Sequence, residues 1–169
     1  MAAVYLGLGA NVGDAASTIS AAFRELGGIL AAGRISRLWR SKARYVEDQP
    51  DFLNAAVAGE CSLEPEELLA RVNRIEASFG RDRARETRNG PRPLDIDILL
   101  YADRVLARPD LILPHALMRE RKFVLLPLLE LAPGLRDPVS GESFASILAS
   151  LPPQGIYLAD SGDYDRLYI

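Results

Sequence analysis

At 169 residues, with 49% hydrophobic and 25% charged residues, the chain is about one soluble domain long and large enough to bury a core. A formal net charge of −3 argues against a general nucleic-acid binder, and no apolar run approaches the roughly 18 to 20 residues of a membrane span. Cys61 is the only cysteine, which excludes an intrachain disulfide, and no basic stretch precedes the apolar start, so a reducing cytoplasm is the expected location.

The segment AVYLGLGAN (3–11) reads as a buried strand ending in turn chemistry. Asp14 is placed to cap a helix carrying Ile19, Ala22, Phe23 and Leu26 at helical spacing, and Gly27-Gly28 ends it. AGRISRLWRS (32–41) reads as an exposed strand and DFLNAAVAGEC (51–61) as a second one. Pro65, Glu66 and Glu67 supply first-turn chemistry for a helix whose stripe is Leu68, Leu69, Val72, Ile75 and Phe79, stopped by Gly80. The polar stretch RDRARETRNGPRP (81–93) leads into the strand LDIDILLY (94–101). Helices are expected near 123–131 and 143–151, and the remaining residues form a weakly patterned tail. Strand, helix, strand, strand, helix, strand is the split βαβ, ferredoxin-like α/β (α+β) arrangement, a mainly antiparallel sheet with helices packed on it. It is expected as a single domain over 1–169.

Within LDIDILLY, alternation puts Leu94, Ile96, Ile98 and Leu100 on one apolar face and Asp95, Asp97, Leu99 and Tyr101 on the other. Two carboxylates about 6 to 7 Å apart repel and raise each other's pKa unless a cation sits between them. Mg²⁺ prefers such oxygens, commonly one or two carboxylates with substrate phosphates completing the shell. Solvated charges on an exposed edge are the plain alternative. The neighbourhood favours the ion: Arg81, Arg83, Arg85, Arg88 and Arg92 lie just upstream, and guanidinium groups hold phosphate oxygens through paired hydrogen bonds. Pro91 and Pro93 keep the chain around Arg92 extended, whereas the other arginines read as a mobile lid.

The phosphate chemistry is not that of a P-loop, because neither lysine follows a glycine, and the protein-kinase motifs are missing. GLGANVG (7–13) spaces its glycines one residue too widely for a dinucleotide fingerprint. Gly7 and Gly9 are better read as letting a backbone or ligand approach the first strand.

Taken together, YLGLGANVGD (5–14), DQPDFLNAAV (48–57), EPEELLARVNRIEASFGR (64–81), GPRPLDIDILLY (90–101) and LPHALMRERKFVLLPLLELAP (113–133) resemble the 6-hydroxymethyl-7,8-dihydropterin pyrophosphokinase family. The resemblance implies a ferredoxin-like fold and transfer of pyrophosphate from ATP to the pterin hydroxymethyl group, releasing AMP, in folate biosynthesis. By the same resemblance Arg81, Arg92 and Asp97 are catalytic, and Asp95 and Asp97 hold two Mg²⁺ ions. Phe52, Asn54, Asp95 and Phe123 bind the pterin; Glu76, Arg83, Arg92, His115 and Arg121 bind the nucleotide. The implied partners are ATP and a reduced pterin, with no nucleic acid and no membrane, in a monomer. SKARY (41–45) departs from the family's Thr-x-Pro-x-Gly-like segment, and Asp110 and Ile112 replace an arginine and a threonine of some members. Two rivals stay open: a non-catalytic ferredoxin-like module that binds nucleotide or metal, and an RNA-binding domain using the arginine loop, for which aromatic residues on the strands are few.

Overall fold

A computed structural model describes residues 1–43, 48–82, 84–85 and 90–159. In β1 (Ala2–Ala10) side chains alternate strictly: Val4, Leu6, Leu8 and Ala10 enter the core, leaving Gly7 and Gly9 on the other face. Asp14 then opens α1 (Ala15–Leu26), its Oδ1 accepting from the Ser17 N–H at 3.1 Å. Asp14→Ala is expected to cost about 1 kcal/mol, read as a lower denaturation midpoint at unchanged slope; an unmoved midpoint would show that the cap contributes nothing.

The strand expected over 32–41 is in fact two. β2 (Leu30–Ile35) and β3 (Trp39–Ser41) pair antiparallel with different stretches of β4 (Phe52–Cys61). Ala32, at φ 50°, sits where the β2 register slips. Ser36 then turns inward, its amide donating to the Ala56 carbonyl and its hydroxyl accepting from the Ala56 N–H, both at 2.9 Å. The irregular apolar and basic alternation gave no warning of this break.

In α2 (Pro65–Ser78) the start is set by Pro65 and a reciprocal Glu64–Glu67 box, and Gly80, at φ 87°, supplies the left-handed exit. β5 (Asp95–Tyr101) pairs with the free edge of β1, giving the antiparallel order β5-β1-β4 with β2 and β3 on the far side of β4. Two interleaved βαβ units make this the expected ferredoxin-like fold.

Register corrects the expected faces of β5. Tyr5 pairs with Leu100 and Leu6 with Ile98, so Leu99 is an extra, bulged residue. Leu99 and Leu100 both join the second core cluster, and Tyr101 returns to the main core, where its hydroxyl donates to the Leu63 carbonyl at 2.6 Å. Tyr101 therefore does not share the face of the aspartates, nor Leu100 that of Ile98.

A short hairpin of β6 (Leu106–Ala107) and β7 (Ile112–Leu113) follows. α3 (Lys122–Leu131) and α4 (Phe144–Ser150) pack Leu125, Leu128, Phe144 and Ile147 against Ala56 and Leu99 on the second face of the sheet. The weakly patterned tail contains one more strand, β8 (Ile156–Leu158), antiparallel to β3. Three residues are too few to carry a period-two signal. Among the described residues no helix is long and apolar enough to cross a membrane.

Candidate active site

Where β1, β4 and β5 meet the start of α3, a cleft opens to solvent. It gathers residues from distant parts of the chain: Phe52 and Asn54 on β4, Arg92, Asp95 and Asp97 around β5, and Arg121 and Phe123 at α3. Gly9 forms part of the floor; a Cβ there would stand 3.6 Å from Asn54 Oδ1. Asn54 is held in turn by Nδ2 bonds to Ser41 Oγ at 2.9 Å and the Trp39 carbonyl at 3.2 Å. The Arg121 guanidinium lies 5.6 Å from the centre of the Phe123 ring.

Asp95 is clasped from both sides. Its Oδ1 accepts from Arg81, and its Oδ2 from Arg92 Nη1 at 2.5 Å. Arg81 is no lid residue: it is buried and also pairs with Glu76. Glu76, 1% exposed, accepts from the Ile96 N–H at 2.8 Å as well, so a Glu76–Arg81–Asp95–Arg92 chain of charges ties α2 to β5. Glu76 does not line the cleft; it stands behind the wall, where it orients Arg81. His115 lies beside the cleft, its Nε2 3.8 Å from Asp97 Oδ2. Arg83 and Arg88, together with Asn89, lie outside the described residues, as do Arg44 and Tyr45 of the SKARY segment.

One residue escaped the sequence reading. Asn11, buried at the end of the first strand, accepts from the Arg92 N–H at 2.8 Å and donates to Gln49 Oε1 and the Pro50 carbonyl, each at 3.0 Å. It fixes Arg92 against the segment that leads to Phe52. An amide in the turn after a glycine-rich strand was the available signal, absorbed there into turn chemistry.

The two aspartates are electrostatically unlike. Burial raises the Asp95 carboxyl, yet Arg92 and Arg81 outweigh it and hold it below the ordinary value. Burial, and then the charge of Asp95, push Asp97 up to about 7, with Arg121 opposing. His115 is held below its ordinary value by burial and by Arg121. A carboxylate raised by a neighbouring carboxylate is a group that a divalent cation would relieve. Each Asp95 oxygen keeps acceptor capacity beyond its arginine bond, so the donor set fits a hard divalent ion. Among the described residues no group of three or more metal-ligating side chains gathers, so such an ion would need further ligands beyond these two carboxylates.

Residues 5–133 match the family model of 7,8-dihydro-6-hydroxymethylpterin-pyrophosphokinase. The chain belongs to this family. It is 44% identical over 159 residues to the 2-amino-4-hydroxy-6-hydroxymethyldihydropteridine pyrophosphokinase of Methylorubrum extorquens, covering 92% of this chain and 98% of that one. To the enzyme of the same name from Aquifex aeolicus it is 42% identical over 139 residues, 82% of this chain and 86% of that one. Among solved structures, wild-type HPPK-DHPS of Plasmodium falciparum superposes with a TM-score of 0.68 at 13% identity, over 88% of this chain and 44% of that one. At that identity the likeness speaks for the fold alone, and the chain spans less than half of that protein. As a member of this pyrophosphokinase family, the chain is a diphosphotransferase of folate biosynthesis, which removes the non-catalytic rival.

In this pyrophosphokinase the two titrations predict an unusual pH dependence. Between an ordinary aspartate value of about 4 and about 7, folded Asp97 holds a proton that the unfolded chain has lost. Its contribution to stability is therefore present at low pH and lost as pH rises through that window. His115, depressed, slopes the opposite way below its ordinary value. The expected result, in chelator-treated protein, is that Asp97→Asn gains stability over wild type as pH rises from about 4 to about 7. A pH-independent difference between the two would contradict the raised value.

Proposed function

We propose that the chain transfers the pyrophosphoryl group of ATP to the hydroxymethyl oxygen of 6-hydroxymethyl-7,8-dihydropterin, releasing AMP, with Mg²⁺ required. The observation that carries this reading is one cleft lined jointly by Asp95, Asp97 and Arg92 and by Phe52, Asn54 and Phe123. A polyphosphate and a flat heterocycle find their complements within reach of each other.

The roles follow from the side chains. Phe52 and Phe123 offer aromatic faces to the pterin, and Asn54, its Nδ2 already bonded to Ser41 and Trp39, offers Oδ1 as an acceptor to an N–H of the pterin edge. Arg92 has a buried Nε with no acceptor among the described residues, a donor suited to a phosphate oxygen. Arg121 adds a second cation on the cleft wall, and His115, held neutral, can hydrogen-bond nucleotide rather than add charge. Asp95 and Asp97 would hold two Mg²⁺ ions, whose chemistry is to neutralise the triphosphate and favour the ionised hydroxyl.

In the transfer itself the pterin oxygen forms a bond to the β-phosphorus while the bond from that phosphorus to the α–β bridging oxygen breaks. The bridging oxygen leaves with AMP, and the hydroxyl proton passes to solvent. Such transfers ask little covalent work of the protein; orientation and charge stabilisation supply most of the rate. The same reading makes the protein a cytoplasmic monomer acting on two small solutes, without membrane or nucleic acid. Protein mixed with Mg²⁺, ATP and the reduced pterin is expected to release AMP stoichiometrically with pterin pyrophosphate. Release of ADP, or no pterin-dependent turnover, would overturn the proposal.

A further inference from the structure

The segment after α4 hydrogen-bonds the chain beside both aromatic walls of the cleft. Gln154 accepts from the Lys122 N–H at 2.9 Å through Oε1 and donates through Nε2 to the Glu120 carbonyl at 2.8 Å. Those backbone groups bracket Arg121 and lie next to Phe123. Three residues on, the Tyr157 hydroxyl donates to Asp51 Oδ2 at 3.2 Å, directly before Phe52. Between and beyond them, β8 pairs Ile156 with Ser41 and Leu158 with Trp39, and the Ala159 N–H donates to the Leu38 carbonyl at 3.0 Å. Ser41 and Trp39 are the two residues that hold the Asn54 amide.

We propose that residues 152–159 form a strap across the pterin side of the cleft, with Gln154 and Tyr157 as positioning residues that fix the Phe123 and Phe52 walls relative to each other. Among the described residues the strap's hydrogen bonds reach neither the Asp95–Asp97 pair nor Arg81 and Arg92; on the nucleotide side it meets only the backbone flanking Arg121, so its effect falls mainly on the pterin. A flat ring bound between two side chains is sensitive to their separation, because dispersion falls steeply with a gap of even half an ångström. Gln154 fixes the first turn of α3, where free N–H groups need acceptors. The proposal rests on the pterin reading of this cleft.

The test uses the full chain and three proteins: wild type, Gln154→Ala and Tyr157→Phe. Wild type must bind 6-hydroxymethylpterin, the stable oxidised form, in calorimetry with Mg²⁺ and an unreactive ATP analogue present; failure here sinks the pterin reading itself. Given wild-type binding, Gln154→Ala is expected to weaken the pterin by about five- to tenfold and Tyr157→Phe by about twofold, with analogue affinity within twofold. Amide exchange, which needs no ligand, is expected to quicken in Gln154→Ala both around 120–124 and around 39–42. Unchanged pterin affinity, equal loss of both ligands, or exchange confined to the mutated segment would each overturn the strap.

Discussion

Asp97→Ala is expected to slow pyrophosphoryl transfer at least a hundredfold, about 3 kcal/mol in barrier, without lowering the melting temperature. The two halves of that result have separate causes. Asp97 makes no close ion pair among the described residues, its nearest cationic candidate being His115 Nε2 at 3.8 Å, and its carboxyl is pushed up to about 7 by burial and by Asp95. Surrounding atoms desolvate the carboxyl, yet the side chain is still 37% exposed, so solvent screens part of the repulsion and the gain in stability on removal is modest. A group held unfavourably in the resting protein fits the proposed use, holding a cation against the triphosphate. Turnover and melting measured on one preparation decide the matter. Near-normal turnover would refute a metal-holding role, and a collapsed melting temperature would make the loss structural.

The second large effect is on the fold. Glu76→Ala is expected to destabilise the protein by about 3 kcal/mol, the lower end of the range for breaking a buried pair, because Arg81 keeps Asp95 as a partner. For a domain of this length that is a fall in melting temperature on the order of 10 °C. The Ile96 N–H also loses its acceptor, and β5 loses its tether to α2 at the edge of the aspartate pair. If Glu76 instead contacted nucleotide directly, the variant would raise the KM for ATP at nearly unchanged melting temperature.

Much of this was legible in the sequence because local chemistry and tertiary role agreed. Asp14, the Pro65 start, Gly80 and the alternation of β1 each state their structure within a few residues. The aspartates and Phe52, Asn54, Arg92, Arg121 and Phe123 did converge on one cleft. What stayed hidden depended on contacts between distant segments. The Leu99 bulge is set by pairing with β1, and the inward turn at Ser36 by the Ala56 backbone. Arg81 read as a lid residue because its polar neighbours masked two buried acids from elsewhere, Glu76 and Asp95. Gln154 and Tyr157 carry no motif; only the packed chain brings them beside the backbone flanking Phe123 and Phe52.

The central claim is that the acids of the Asp-x-Asp strand bind divalent ions together with a nucleotide's phosphates. Crystals soaked with Mn²⁺ and an unreactive ATP analogue, measured at the manganese absorption edge, test it most directly. Anomalous density bound to both the Asp95 and Asp97 carboxylates and to phosphate oxygens is the predicted result. Analogue seated in the cleft with no ion at either carboxylate, and Asp97 still turned only toward His115, would contradict it.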